Sequence, residues 1–157
     1  MNAVAFAPGG DVLASAGRDG SVWLWDVDAR RALGPPLTGH TDVVDALSFF
    51  PDGRTLASTG ADHTVRLWDV PSRRALGRPL RGHAGWVSAV AADPHGNGLA
   101  SAGEDGAVRL WDPVLWSDDA SPLRDRVCEG ARRSLTRAEW AEYLPDQPYH
   151  RTCPGAR

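Results

Sequence analysis

A repeat of 43 residues runs through most of this 157-residue chain. Leu-Trp-Asp occurs at 24–26, 67–69 and 110–112, and the Gly-His pair at 39–40 recurs at 82–83. Shifting residues 38–80 onto 81–123 matches 18 of 43 positions without a gap, and shifting 1–37 onto 44–80 matches 21 of 37. Such a period indicates copies of one supersecondary unit that bury their apolar faces against each other. The chain is therefore predicted to fold as an array of units.

Each repeat predicts short strands joined by tight turns. In the second repeat, residues 43–50 are rich in apolar side chains and precede a Pro-Asp-Gly turn. Residues 55–59 form a short extended run, and residues 64–68 alternate between apolar and polar side chains. Residues 74–80 are predicted as a weaker fourth strand, since they contain a glycine and a proline that suit a sheet edge. Four strands in about 43 residues are typical of one propeller blade.

The motifs of the repeat resemble those of the WD-repeat (WD40) β-propeller family. They are the Gly-His pair, a Pro-x-Gly turn, Leu-Ala-Ser-x-Gly-x-Asp and Val-Arg-Leu-Trp-Asp, and they cover roughly residues 1–113. The resemblance implies an all-β partial propeller, an open arc of three four-stranded blades at 1–37, 38–80 and 81–121. The third blade is expected to have a degenerate outer strand. Because propellers close with about four to eight blades, the chain is either the C-terminal portion of a longer propeller or one half of a six-bladed ring of two chains.

Residues 122–157 depart from the repeat and are predicted to form a short α-helical C-terminal extension. Helical spacing of apolar residues predicts one helix at 123–133, and a Thr-Arg-Ala-Glu capping box predicts another at 136–144. The segment is similar to the C-terminal extension of many bacterial WD-repeat proteins. Its apolar side chains either bind a partner helix or pack on the last blade. Cys128 and Cys153 either pair or remain free thiols, as a cytoplasmic chain favours.

Ser, His, Asp and Trp recur together in the repeats. The sets are His40, Ser58, Asp62 and Trp68; His83, Ser101, Asp105 and Trp111; and Ser15, Asp19 and Trp25, before which no histidine occurs. The family resemblance implies a buried hydrogen-bonded chain from the indole through the hydroxyl and the imidazole to the carboxylate. The alternative is a hydrolase triad. An active site is not usually rebuilt in every repeat, whereas a packing device is, so the structural interpretation is favoured.

The resemblance also implies a rim on which WD-repeat propellers bind peptides or proteins. Carried over position by position, that rim contains Asn2, Arg18, Val43, Asp45, Ala61, Trp86, Ser88 and Glu104. Trp86 replaces Val43 one repeat later, which shows that the fold does not need an aromatic residue there. Trp and Arg are the residues that most often dominate interface energies.

These observations predict a non-catalytic protein-interaction scaffold, a fragment of a larger signalling or regulatory propeller. A hydrolase and a nonfunctional gene remnant are the alternatives. The expected partner is a protein or peptide, together with a second copy through the uncovered first blade. Neither a cofactor nor a metal is expected, because no nucleotide loop occurs and the late Cys and His residues have unsuitable spacing.

Composition restricts partners and location further. A net charge of −3 argues against sequence-independent nucleic-acid binding, which needs a dense basic face. The sequence contains no run of eighteen apolar residues, so no membrane span is predicted. Because the N-terminus also lacks the pattern of a signal peptide, the cytoplasm is the expected location. All 17 basic residues are Arg, and Lys and Ile are absent, which indicates a GC-rich and bacterial genome.

Overall fold

The computed structural model describes residues 1–95 and 98–111, in which twelve strands form three antiparallel sheets. Sheet 1 contains β1 (Ala3–Phe6), β2 (Val12–Ala16), β3 (Val22–Asp26) and β4 (Arg31–Ala32), in that order. Sheet 2 contains β5 (Val44–Phe49), β6 (Thr55–Gly60), β7 (Thr64–Asp69), β8 (Arg74–Ala75) and β9 (Leu80–Arg81). Sheet 3 contains β10 (Val87–Ala92), β11 (Leu99–Gly103) and β12 (Val108–Trp111). All three sheets belong to one compact unit, Met1–Trp116.

The outer strand of sheet 2 is divided into two pieces. β8 pairs with one end of β7 and β9 pairs with the other end, so the single strand predicted at 74–80 is interrupted. Between the two pieces, Gly77 has a φ of +67° and Pro79 has no amide hydrogen, so this segment cannot continue the ladder. Sheet 1 has a similar interruption, after which Leu37 makes an isolated bridge with Val22.

The predicted fold class, three four-stranded blades with an α-helical extension, is wrong in its number of strands per sheet. The sheets contain four, five and three strands within the described residues, and every regular element in that part of the chain is a strand. The predicted helices at 123–133 and 136–144 and the two cysteines lie outside the described residues. The all-β assignment holds for the strands that the structure describes.

The apolar core lies between the sheets rather than within them. One cluster joins sheets 1 and 2 and contains Ala14, Ala16, Val22, Leu24, Leu37, Val44, Leu56, Trp68 and Val70. A second cluster joins sheets 2 and 3 and contains Phe50, Ala57, Val65, Leu67, Val87 and Leu99. Alternate residues of sheet 2 therefore face opposite neighbours: Leu56 and Trp68 contact sheet 1, while Ala57 and Leu67 contact sheet 3.

A β-bulge lies at the start of the first strand in sheets 2 and 3. The register shifts between Val44 and Ala46, and again at the matching positions one repeat later. The carbonyl oxygen of Val43 accepts a hydrogen bond from the Ala61 amide at 2.8 Å and lies against Gly60. A Cβ atom at Gly60 would collide with that oxygen, so the bulge requires glycine.

Candidate functional site

Four polar side chains of the second repeat meet at the boundary between sheets 1 and 2. Ser58 lies on β6 and Trp68 lies on β7, while Asp62 belongs to the turn between these strands. His40 comes from the loop before β5, and this loop packs on sheet 1, where the His40 and Asp42 carbonyl oxygens lie near Gly20. The β6–β7 hairpin and the preceding loop therefore bring together residues that are up to 28 positions apart in the sequence.

These side chains form one continuous chain of hydrogen bonds. The Trp68 indole Nε1–H donates to Ser58 Oγ at 2.8 Å. Ser58 Oγ lies 2.7 Å from His40 Nε2, and His40 Nδ1 lies 2.9 Å from Asp62 Oδ2. Ser58 is fully buried and His40 is 8% exposed. Because buried polar groups are costly without partners, this continuous pairing is what makes their burial tolerable.

Burial fixes the protonation state of the imidazole. Loss of solvent lowers the pKa of His40, and the nearby Arg66 lowers it further, against the opposing influence of Asp62. The ring is therefore neutral at pH 7. Since the Asp62 carboxylate only accepts hydrogen bonds, Nδ1 carries the hydrogen and donates to it. Nε2 then accepts the hydrogen bond that the Ser58 hydroxyl donates.

The Asp62 carboxylate also organises its own turn. The Thr64 hydroxyl donates to Oδ1 at 2.7 Å, and the Thr64 and Thr41 amides donate at 3.1 and 3.2 Å. Burial raises the pKa of Asp62, but the hydrogen bonds from Thr64, His40 and the Thr41 amide outweigh burial and hold the pKa below its usual value. The carboxylate therefore stays charged.

The third repeat has the same arrangement. The Trp111 indole donates to Ser101 Oγ at 2.8 Å, and Ser101 Oγ lies 2.8 Å from His83 Nε2. His83 Nδ1 lies 3.0 Å from both oxygens of Asp105. Hydrogen bonds from the Ala84 amide and the His83 ring lower the pKa of Asp105 to about 2.

The first repeat holds only part of the set. The Trp25 indole donates to Ser15 Oγ at 2.8 Å, as its counterparts do in the other repeats. Asp19 contacts Ser21 instead of a histidine, accepting from the Ser21 hydroxyl at 2.8 Å. Trp23 occupies the position of Arg66, and its ring lies 6.0 Å from that of Trp25.

The connectivity of Ser58, His40 and Asp62 equals that of a hydrolase triad, but the surroundings differ. A nucleophilic serine must be reachable by substrate and must face oxyanion donors. Ser58 Oγ is fully buried and already accepts the Trp68 indole hydrogen bond. No cluster of His, Cys, Asp or Glu among residues 1–95 and 98–111 could hold a metal ion. The arrangement can therefore fasten a loop to a hairpin, but it offers no path to a substrate.

The positions predicted as a rim lie at one edge of the sheets, where each first strand begins and each second strand ends. Trp86 is 49% exposed, and its carbonyl oxygen accepts the Glu104 amide at 2.8 Å. Asn2 Nδ2 donates to Asp45 Oδ1 at 3.2 Å, which joins sheet 1 to sheet 2. Arg18, Ser88 and Glu104 are exposed, and Val43 and Asp45 are half-buried. Ala61 is buried and contributes no side-chain surface.

Two kinds of contact were not predicted from the sequence. One joins neighbouring sheets, and the other lies within the turns that contain Asp19 and Asp62. The Arg73 guanidinium donates to the Leu33 carbonyl oxygen, so it bridges sheet 2 to sheet 1. Gly34 makes room for it, since a Cβ atom there would collide with the guanidinium. Thr64 and Ser21 support the aspartates of their turns, and both are hydroxyl residues 43 positions apart. The 43-residue spacing of Ser21 and Thr64 is a sequence signal for the contacts within the turns. Nothing in the sequence indicates the contact between Arg73 and Leu33.

Comparison with known proteins bears on the repeat itself. The model of the WD40 family, described as WD domain, G-beta repeat, matches residues 1–26, 33–69 and 75–112. These segments cover more than half of the chain. They include every strand described above except β4, which they leave out, and β8, of which they include Ala75. No curated protein matches the sequence. No helix in the part of the chain that the structure describes has the length and apolar character needed to cross a membrane. The chain belongs to the WD40 repeat family.

Proposed function

We propose that this chain is a non-catalytic protein-interaction module that binds a protein or peptide partner at the edge of the sheets that carries Trp86. The observation that supports it is the exposure of this large aromatic side chain directly before the β-bulge of β10. Trp86 is 49% exposed, whereas the same position is Val43 in the second repeat. An exposed Trp that the fold does not require is typical of an interface anchor.

The surrounding charges favour a partner with mixed polarity. Glu104 lies beside Trp86, and Arg18 and Asp45 lie at the same edge of the neighbouring sheets. An aromatic anchor surrounded by exposed charged groups fits an extended peptide with an apolar side chain and flanking charges. The burial of Ser58 and Ser101 supports the absence of catalysis, because neither hydroxyl is accessible.

Selection of peptides provides the test. The full chain would be immobilised and exposed to a random peptide library, and the recovered peptides would be measured against variants. Trp86→Ala is expected to weaken binding about 10-fold or more, since truncation of an aromatic anchor costs at least about 2 kcal/mol. Arg74→Ala is the matched control, because Arg74 is exposed on β8, away from this edge. Peptides that bind Trp86→Ala and the parent chain equally would contradict the proposed surface.

Catalysis is tested separately with a serine-reactive fluorophosphonate probe. We expect no labelling of the folded chain. Labelling that disappears in either Ser58→Ala or Ser101→Ala would overturn the non-catalytic proposal.

A second interaction is with another copy of the chain. We infer self-association from Val4 and Phe6 on β1, which are 67% and 62% exposed. Apolar side chains in a contiguous exposed patch favour association.

A further inference from the structure

Sheet 1 and sheet 3 each expose one apolar face. On sheet 1, Val4 and Phe6 of β1 are 67% and 62% exposed. On sheet 3, Val108 and Leu110 of β12 are 72% and 83% exposed. We call these the β1 face and the β12 face. Each belongs to a sheet whose opposite face packs against sheet 2.

The β12 face has the same residue types as one face of sheet 1 and one face of sheet 2, and both of those faces are buried. Ala100, Val108 and Leu110 correspond to Ala57, Val65 and Leu67 of sheet 2, and to Ala14, Val22 and Leu24 of sheet 1. The residue types are identical at all three positions. In sheets 1 and 2 these residues are at most 3% exposed, because the next sheet covers them.

The β1 face has the same residue types as the surface of sheet 2 that packs on sheet 1. Phe6, Leu13 and Trp25 correspond to Phe49, Leu56 and Trp68 of sheet 2, and again the residue types are identical. In sheet 2 these side chains pack on the Ala, Val and Leu face of sheet 1. The interface between sheets 1 and 2 is therefore a template for what the two exposed faces fit.

We propose that two copies of this chain associate head to tail, with the β1 face of one copy packed on the β12 face of its partner. This refines the self-association proposed above by assigning the partner surface. The interface is heterologous, since the two surfaces that meet are different. The described residues of two copies contain six sheets, which falls within the four to eight that a closed propeller contains. The described residues of three copies would contain nine, which exceeds that range, so the dimer is the closed assembly that we propose.

Closure also predicts how the dimer responds to substitution. In a closed pair, each copy offers its β1 face to one interface and its β12 face to the other. Phe6→Arg or Leu110→Arg alone therefore damages both interfaces of a homodimer. An equimolar mixture of the two variants retains one undamaged interface, formed by the intact β12 face of one and the intact β1 face of the other.

Sedimentation of the full chain at 1 to 100 micromolar is the test. We expect a species of about twice 16.8 kDa. Phe6→Arg and Leu110→Arg are each expected to weaken the dimer at least about 100-fold, because a charge would be buried without a partner. Mixing them is expected to restore a heterodimer. Arg74→Glu, at an exposed position on β8, is the control and should sediment as the parent chain does.

The outcomes separate the two levels of the proposal. A parent chain that stays monomeric overturns self-association itself. A dimer that survives Leu110→Arg but not Phe6→Arg leaves self-association standing and overturns the head-to-tail pairing, since it indicates that two β1 faces meet. Species much larger than a dimer overturn the closed pair. If either variant fails to fold, Val4→Arg and Val108→Arg report on the same two faces.

Discussion

Ser58 depends on its neighbours because its hydroxyl oxygen and its hydroxyl hydrogen each have a defined partner. Its oxygen accepts from the Trp68 indole, and its hydrogen is directed at His40 Nε2. In an environment that excludes water, losing one member leaves another donor or acceptor unpaired, which costs about 1 to 3 kcal/mol. At the scale of single residues, the repeat therefore encodes a network in which each member requires the others.

Replacing Trp68 with alanine tests this dependence. Trp68→Ala removes a side chain that is 2% exposed and also leaves the Ser58 hydroxyl without its donor. We expect a loss of about 3 to 5 kcal/mol in the free energy of unfolding, measured by urea denaturation. Trp23→Ala is the matched control, because Trp23 is half-buried and its ring lies 6.0 Å from that of Trp25. Equal losses in the two variants would show that the network adds nothing to aromatic packing.

The neutral His40 ring makes stability depend on pH. Burial lowers the pKa of His40 in the folded state below its ordinary value of 6.5, so the unfolded chain takes up the proton first. This contribution to stability is complete above about pH 6.5 and decreases as the pH falls below that value. The slope for one proton is at most about 1.4 kcal/mol per pH unit.

Urea denaturation at pH 7.5 and 5.5 measures this slope. We expect His40→Gln to be less stable than the parent at pH 7.5 but to lose less stability on acidification. His63→Asn is the control, since His63 is exposed with a φ of +63°, a conformation that Asn tolerates. A His40→Gln variant that retains the full pH dependence of the parent would show that other groups cause it.

At the scale of elements, the bulge at the start of β5 gives a glycine a steric role. A methyl group at Gly60 would meet the Val43 carbonyl oxygen, which is held in place by the Ala61 amide. Backbone atoms cannot move aside as a flexible side chain can. Gly60→Ala is therefore expected to cost about 2 to 3 kcal/mol.

Gly17→Ala is the matched control in the same position of the first repeat. A Cβ atom there would lie 3.4 Å from Met1, an ordinary contact. We expect a change of less than about 1 kcal/mol in thermal or urea denaturation. Comparable losses for Gly17→Ala and Gly60→Ala would mean that glycine serves the turn rather than the close approach of Val43.

The strands whose side chains alternate could be predicted closely from the sequence. The pattern predicted strands at 55–59 and 64–68, and the structure has them at Thr55–Gly60 and Thr64–Asp69. The outer strand was predicted as one continuous strand. An edge strand has few apolar residues from which its bounds could be predicted, and in the structure Gly77 and Pro79 interrupt it. The predicted helical extension lies outside the residues that the structure describes.

For the candidate site, too, the sequence pattern predicted some features and could not predict those that depend on packing. The 43-residue spacing predicted which side chains belong to each set, because equivalent residues occupy equivalent positions in stacked units. The burial of Ala61 and the bridge from Arg73 to Leu33 depend instead on how closely neighbouring sheets approach each other. Distances of that kind are set by tertiary packing, so a single sequence could not reveal them.

At the scale of the whole unit, stability is expected to reside in the contacts between sheets. Both apolar clusters lie at sheet boundaries, and sheet 2 contributes to both. In a stacked array, stability is approximately a sum of unit terms and nearest-neighbour interface terms. A residue on a covered face therefore contributes to an interface, whereas its counterpart on an uncovered face contributes only when another surface binds it.

Leucine occurs at the same position of all three repeats, and comparison of these three residues isolates the contribution of the contacts between sheets. Leu24 and Leu67 are each 3% exposed, whereas Leu110 is 83% exposed. Leu24→Ala and Leu67→Ala are expected to cost about 2 to 5 kcal/mol at any protein concentration, since both leave cavities between sheets. Leu110→Ala is expected to change stability by less than about 0.5 kcal/mol in a dilute sample.

Raising the protein concentration should separate Leu110 from an ordinary surface residue. If the β12 face binds the β1 face of a second copy, association stabilises the parent chain by mass action, so its Tm rises with concentration. Leu110→Ala weakens that association, and its Tm should rise less between 1 and 100 micromolar than the Tm of the parent or of Leu67→Ala. Calorimetry at the two concentrations measures the difference. Parallel shifts in all three proteins would mean that Leu110 takes no part in the association, and the stability of the unit would then derive from its two internal interfaces alone.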